Sequence, residues 1–233
     1  MIRNGVDVWR IQLARPAVEV AALECVLDSA ERSRAAMFHF ERDRSRFVVA
    51  HAALRSILGE YNGVDPRRVN LSVRAGGKPV IASATTISTL HFNLSHSGDL
   101  ALCAISDREV GVDCERLRCH EDIEPVARQF FSSNEAHTLD GLSGIDQTRC
   151  FFRTWVRKEA YVKGTGEGLA CDPTSFTVEK CGAGMTVHNI EGRGRRDDSF
   201  CVYDLPDIDD YFAAIALRGV PSLPGVEYRD WLS

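Results

Sequence analysis

The segment Trp155-Val156-Arg157-Lys158-Glu159-Ala160-Tyr161-Val162-Lys163 sets one carboxylate between two ammonium groups, and the run Gly164-Thr165-Gly166-Glu167-Gly168 ends it. On a helix, residues three and four apart share a face, so Trp155, Glu159 and Lys163 line up and Lys158 stands one position over. Taken alone, an acid four residues before a lysine reads as an ordinary surface ion pair. Other stretches give it company: Gly77-Lys78-Pro79, Phe92-Asn93-Leu94-Ser95-His96-Ser97 and Gly111-Val112-Asp113-Cys114-Glu115. Asp113 and Glu115 are two apart on an expected strand, so their carboxylates face one way while Val112 and Cys114 face the other. Such a pair is either a charged outer face or a pair sharing a cation. With Glu159 the two supply only oxygen donors, a set that suits Mg²⁺, which takes carboxylates, waters and substrate phosphates in octahedral geometry. Carboxylates for a hard cation and lysines for phosphate oxygens point to chemistry on a phosphate ester or anhydride.

These groups need strands and helices to hold them. Alternating apolar residues predict a strand over 7–13, and Pro16 opens a helix running to about residue 29. Phe47, Ala50, Leu54 and Ile57 recur at helical spacing, so a longer helix is expected from residue 33 or 42 to 58, ending before Gly59. Strands are expected over 69–73, 90–94, 100–105 and 110–115. Helices over 122–131 and 146–163 follow, then strands over 175–179, 200–205 and 211–217. The stretches 100–105 and 211–216 are near-continuous apolar runs, each late in its half of the chain. Segments 182–184 and 191–198 read as loops, and the tail from Gly219, with Pro221, Pro224 and Gly225, as irregular.

Composition narrows the class. A chain of 233 residues holds one large domain or two small halves. No stretch approaches the roughly 20 apolar residues of a membrane span, and no apolar run follows the N-terminus, so neither membrane insertion nor secretion is expected. The eight cysteines include no Cys-x-x-Cys pair and read as free thiols of a cytoplasmic protein. A formal net charge of −5 argues against a broad nucleic-acid surface. Two basic clusters, one around Arg32 to Arg46 and one around Arg149 to Lys163, suit a small polyanionic ligand better.

In order, Gly-Lys-Pro, Phe-Asn-Leu-Ser-His-Ser, Gly-Val-Asp-Cys-Glu and Trp-x-x-Lys-Glu-Ala-x-x-Lys-x-x-Gly-x-Gly-Leu resemble the 4′-phosphopantetheinyl transferases, the surfactin-synthetase-activating type above all. With a looser match over 42–55, the resemblance covers about 34–169. Cys114, in an ordinarily aliphatic place, and the doubled Gly76-Gly77 are its departures. The resemblance implies an α+β fold of two similar α/β halves related by a pseudo-twofold axis, residues 1–106 and 107–233, with coenzyme A in the cleft between them. It implies a monomer that moves the phosphopantetheine arm of coenzyme A to a serine of an apo acyl or peptidyl carrier protein. Asp113, Glu115 and Glu159 would hold Mg²⁺. Lys158 and Lys163 would meet the pyrophosphate, Ser95, His96 and Arg34 the 3′-phosphate end, and Lys78 with Pro79 the adenine and phosphate end. Glu159 and Lys163 are the expected catalytic pair, with Glu159 as base directly or through water. A metal-dependent nucleotide hydrolase or a non-catalytic coenzyme A binding protein would use a similar inventory. Release of bisphosphate only in the presence of carrier protein separates the transferase from the hydrolase, and the binding protein would bind without turnover.

Overall fold

Two long helical runs and two doubly apolar strands call for sheets packed between helices, and the computed structural model has that layering. It describes residues 5–82, 90–118, 123–181, 184–189, 200–206, 208–219 and 225–232. The first part of the chain runs β1 (Val6–Gln12), α1 (Ala17–Leu23), α2 (Ser29–Ala36), α3 (Glu41–Asn62), β2 (Leu71–Val73), β3 (Pro79–Ile81), β4 (His91–Ser97) and β5 (Leu100–Ser106). It continues with β6 (Val110–Arg116), α4 (Ile123–Phe130), α5 (Ser133–Asp140), α6 (Gly144–Thr165), β7 (Phe176–Cys181), β8 (Gly184–Asn189), β9 (Phe200–Asp204), β10 (Tyr211–Arg218) and β11 (Val226–Asp230). One sheet has the order β11-β1-β5-β4, a second β6-β10-β9-β8-β7, and β2-β3 is a separate hairpin.

Side-chain alternation explains the stacking. On β5, Ala101, Cys103 and Ile105 pack with α3, while Leu100, Leu102 and Ala104 face the second sheet. On β10, Phe212, Ala214 and Ala216 pack with α6, while Ala213, Ile215 and Leu217 face the first sheet. The layers are therefore α3, sheet, sheet, α6, and the two apolar runs singled out in the sequence are the strands buried on both faces. Among the described residues no helix is long and apolar enough to cross a membrane.

Several expected boundaries move. The helix expected to reach residue 29 stops at Leu23, because Asp28 accepts the backbone N–H of Glu31 at 2.9 Å and opens α2 with a capping box. Helix α3 runs past Gly59 to Asn62. Strands β3 and β8 and helix α5 were not expected, although Ser132-Ser133-Asn134-Glu135 is a legible capping box and the structure uses it as one. The tail is not irregular throughout: β11 pairs in parallel with β1, Val6 opposite Val226, and covers an edge that would otherwise present open backbone groups. A division at residue 106 thus leaves one strand of the second part in the first sheet. The loop expected over 191–198 lies outside the described residues.

Candidate active site

Strands β4 and β6 are edges of different sheets, and side chains stitch them together. Asn93, Ser95 and Ser97 project from one face of β4. The backbone N–H of Val112 donates to Asn93 Oδ1 at 2.8 Å, Ser95 Oγ donates to Asp113 Oδ1 at 2.7 Å, and Ser97 Oγ donates to Glu115 Oε2 at 2.5 Å. The two carboxylates share a face of β6, as their spacing requires, while Val112 and Cys114 lie in the core between the sheets.

The third residue of that face is Gly111, and it sets the depth of the site. A Cβ there would lie 2.1 Å from Ala160 O and 2.2 Å from the backbone nitrogen of Gly164. Strand β6 and helix α6 therefore touch backbone to backbone. That approach brings Lys163 Nζ to 2.6 Å from Asp113 Oδ1 and 3.0 Å from Ser95 Oγ. Gly164, read in the sequence as the end of the helix, is a packing position inside it, and Gly166 is the C-cap.

Asp113 is 2% exposed, and its Oδ2 is buried without a hydrogen-bond partner. A carboxylate oxygen in that state calls for a ligand. Burial, and then the neighbouring Asp113 charge, push the Glu159 carboxyl above its ordinary value, against the opposing effect of Lys163. Glu115 is raised in the same way, first by burial, with the Ser97 hydrogen bond opposing. Burial acts to lower the Lys163 ammonium, but Asp113 and Glu159 outweigh it and hold its pKa above the usual lysine value. Among the described residues no three carboxylate, imidazole or thiol groups converge into a ready metal cage. The donors are all oxygen, one of them orphaned, which fits a hard cation that completes its shell with water and substrate oxygens.

A cleft of about 650 Å³ is lined by Glu159 and Lys163 together with Gly76, Gly77, Lys78, Pro79, Phe130, Val162 and Cys171. His96, on the opposite face of β4 from Ser95, is exposed. Partial desolvation, then the charges of Lys163, His51, Arg34 and Arg46, hold its imidazole below the ordinary value. The guanidinium groups of Arg34 and Arg46 bring positive charge to the rim around His96. Arg34 is exposed there, with its guanidinium 5.3 Å from the Phe47 ring centroid.

The chain matches the family model described as 4′-phosphopantetheinyl transferase, N-terminal, over residues 15–108, and that of the 4′-phosphopantetheinyl transferase superfamily over residues 109–216. The 4′-phosphopantetheinyl transferase HetI of Nostoc sp. is 42% identical over 171 residues, 73% of this chain and 72% of that protein. The chain belongs to the 4′-phosphopantetheinyl transferase family. A 4′-phosphopantetheinyl transferase of Bacillus subtilis is 28% identical, over 73% of this chain and 75% of that protein. A second from that species, Sfp, is 30% identical over 64% of each chain.

Not every residue expected at the site of this transferase reaches it. Lys158 is buried, its ammonium donating to Glu135 Oε2 at 2.6 Å and Phe176 O at 2.7 Å and standing 4.1 Å from the Phe176 ring centroid. Burial lowers its pKa, and Glu135 opposes the shift. Lys158 is not among the residues that line the cleft. Lys78 Nζ is also buried, donating to Glu109 Oε2, Val110 O and Gly164 O. Ser95 is buried between Asp113 and Lys163. Trp155 is the packing anchor its position predicts, within 5.9 Å of the rings of Phe130 and Phe151. Cys103 and Cys114 are buried free thiols, and burial raises the pKa of both.

Proposed function

We infer that this chain transfers the 4′-phosphopantetheine arm of coenzyme A to a serine of an apo acyl or peptidyl carrier protein, releasing adenosine 3′,5′-bisphosphate. Membership of the transferase family supports the reaction. The observation that carries its chemistry is the orphaned Oδ2 of Asp113, whose Oδ1 accepts from Lys163, a residue that lines the cleft together with Glu159.

Asp113 and Glu159, with Glu115 alongside, are the residues that would hold Mg²⁺. When bound, the cation supplies positive charge for the pyrophosphate oxygens and for the bisphosphate as it leaves. Ser95 fixes Asp113 through Oδ1 and leaves Oδ2 for the cation. Lys163, held charged by Asp113, neutralises the phosphate under attack, as cationic clamps do in other phosphoryl transfers. The Glu159 side chain makes no hydrogen bond among the described residues, and its raised pKa suits it to take the proton of the incoming serine hydroxyl.

The test is mass spectrometry of apo carrier proteins incubated with enzyme, coenzyme A and Mg²⁺. The expected result is addition of the phosphopantetheine mass, abolished by chelation and restored by Mg²⁺. Bisphosphate release without carrier would instead mark a hydrolase, and binding without turnover a coenzyme A binding protein.

The electropositive rim is the place for the 3′-phosphate. His96→Ala and Arg34→Ala should each raise the KM for coenzyme A about ten- to a hundredfold, since a charge-assisted contact is worth roughly 1.5–3 kcal/mol. Dephospho-coenzyme A should be a poorer donor than coenzyme A for the native enzyme and nearly equal to it for His96→Ala. Full discrimination by His96→Ala would remove that contact from the assignment.

The two helix-and-sheet units would be halves related by a pseudo-twofold axis. Each has a helix of 22 residues, α3 or α6, on a sheet with one doubly buried strand. Superposing one half on the other in a crystal structure is the check, and failure to overlay α3 and α6 would refute it.

A further inference from the structure

Lysine has three N–H donors, and Lys78 uses all of them inside the protein. They go to Glu109 Oε2 at 3.0 Å, Val110 O at 2.9 Å and Gly164 O at 2.8 Å, and the residue is 6% exposed. The two backbone acceptors come from two elements. Val110 is the first residue of β6, three before Asp113. Gly164 follows Lys163, and its carbonyl is among the last of α6, which lack partners within a helix. Lys78 thus caps α6 from another part of the chain and ties it to the start of β6.

Glu109 anchors the ammonium and is itself held. Its Oε1 accepts Arg74 Nη1 at 2.6 Å, and His91 Nδ1 stands 3.4 Å from Oε2. His91 first, then Arg74 and Lys78, hold its carboxyl well below the ordinary value, so it is charged at neutral pH. The neighbouring backbone is pressed into the same joint: a Cβ on Gly76 would lie 1.7 Å from Gly166 O. The hairpin wall of the cleft, the end of α6 and the start of β6 therefore meet at one buried ammonium.

We propose that Lys78 and Glu109 are positioning residues that set Lys163 against Asp113, and that Lys78 is not a coenzyme A contact through its charge. This inference rests on the transferase reading and assigns a role within it.

The experiment compares steady-state kinetics of Lys78→Met and Glu109→Gln with coenzyme A and with dephospho-coenzyme A, well below each variant's melting temperature. Lys78→Met should lower kcat about ten- to a hundredfold, as displacements on the order of 1 Å do. The loss should be equal for the two donors, because no ligand atom loses a partner. In a Lys163→Met background, Lys78→Met should add almost nothing, since residues acting as one unit are non-additive. A rise in KM confined to coenzyme A with kcat unchanged would overturn the proposal in favour of a phosphate contact. So would additive losses with Lys163→Met. Should Lys78→Met fail to fold, Glu109→Gln decides, because it keeps the shape of the site and the two backbone acceptors. Lowered kcat with an unchanged donor ratio supports the clamp, and native kcat refutes it. An inactive native enzyme would refute the transferase reading itself, a result distinct from either outcome in the variants.

Discussion

Glu159→Gln is expected to cut phosphopantetheine transfer by about two to four orders of magnitude, the range assigned to a positioned acid or base. The substitution keeps the size of a side chain that makes no hydrogen bond among the described residues, so the fold has little reason to change. It removes a proton acceptor whose affinity for the proton is raised by burial and by Asp113. It also removes one of the oxygen donors proposed for the cation. The loss should fall on kcat, with the KM for coenzyme A changed far less, because the electropositive rim around His96 stays intact. Measuring both constants at saturating Mg²⁺, with a melting curve as control, checks this. Full activity under those conditions would take both the base and the ligand role away from Glu159.

Lys158→Ala should act on stability and leave coenzyme A binding alone. The ammonium is 3% exposed and Glu135 opposite it 8%. Removing one partner of a buried pair leaves an uncompensated charge, which typically destabilises by about 3–5 kcal/mol. Glu135 keeps its bonds from the backbone of Ser132 and Val178, so the loss belongs at the lower end of that range. In a chain of this size each kcal/mol moves the melting temperature by about 2–4 °C, so calorimetry should show a fall of at least about 6 °C. The double variant Lys158→Met, Glu135→Leu should recover much of it by replacing the pair with packed apolar groups. A raised KM for coenzyme A with an unchanged melting temperature would return Lys158 to the pyrophosphate, where the sequence resemblance places it.

Lys158 and Glu159 are neighbours in one motif, and only one of them reaches the cleft. Helical periodicity already separates their faces, since Glu159 lines up with Lys163 and Trp155 and Lys158 does not. It does not say which face meets the ligand, because that depends on what packs against α6. The partner that claims Lys158 is Glu135, on α5, a helix that the spacing of apolar residues does not predict.

Much that depends on local pattern was legible. The shared face of Asp113 and Glu115 and the helix carrying Glu159 and Lys163 follow from spacings of two or of three and four along one element, and the strands buried on both sides follow from their near-continuous apolar runs. The order of four motifs was enough to reach the family. Contacts between elements far apart in the chain were decided only by the fold. Asn93, Ser95 and Ser97 bridge two sheet edges, Lys78 meets Gly164 across 86 positions, and β11 returns to β1 across the whole chain. The same holds for Gly111, whose missing side chain lets β6 touch α6 and bring Lys163 to Asp113. A spacing along the chain reports which way a side chain points, but its nearest neighbour is chosen by packing, and no local pattern carries that information.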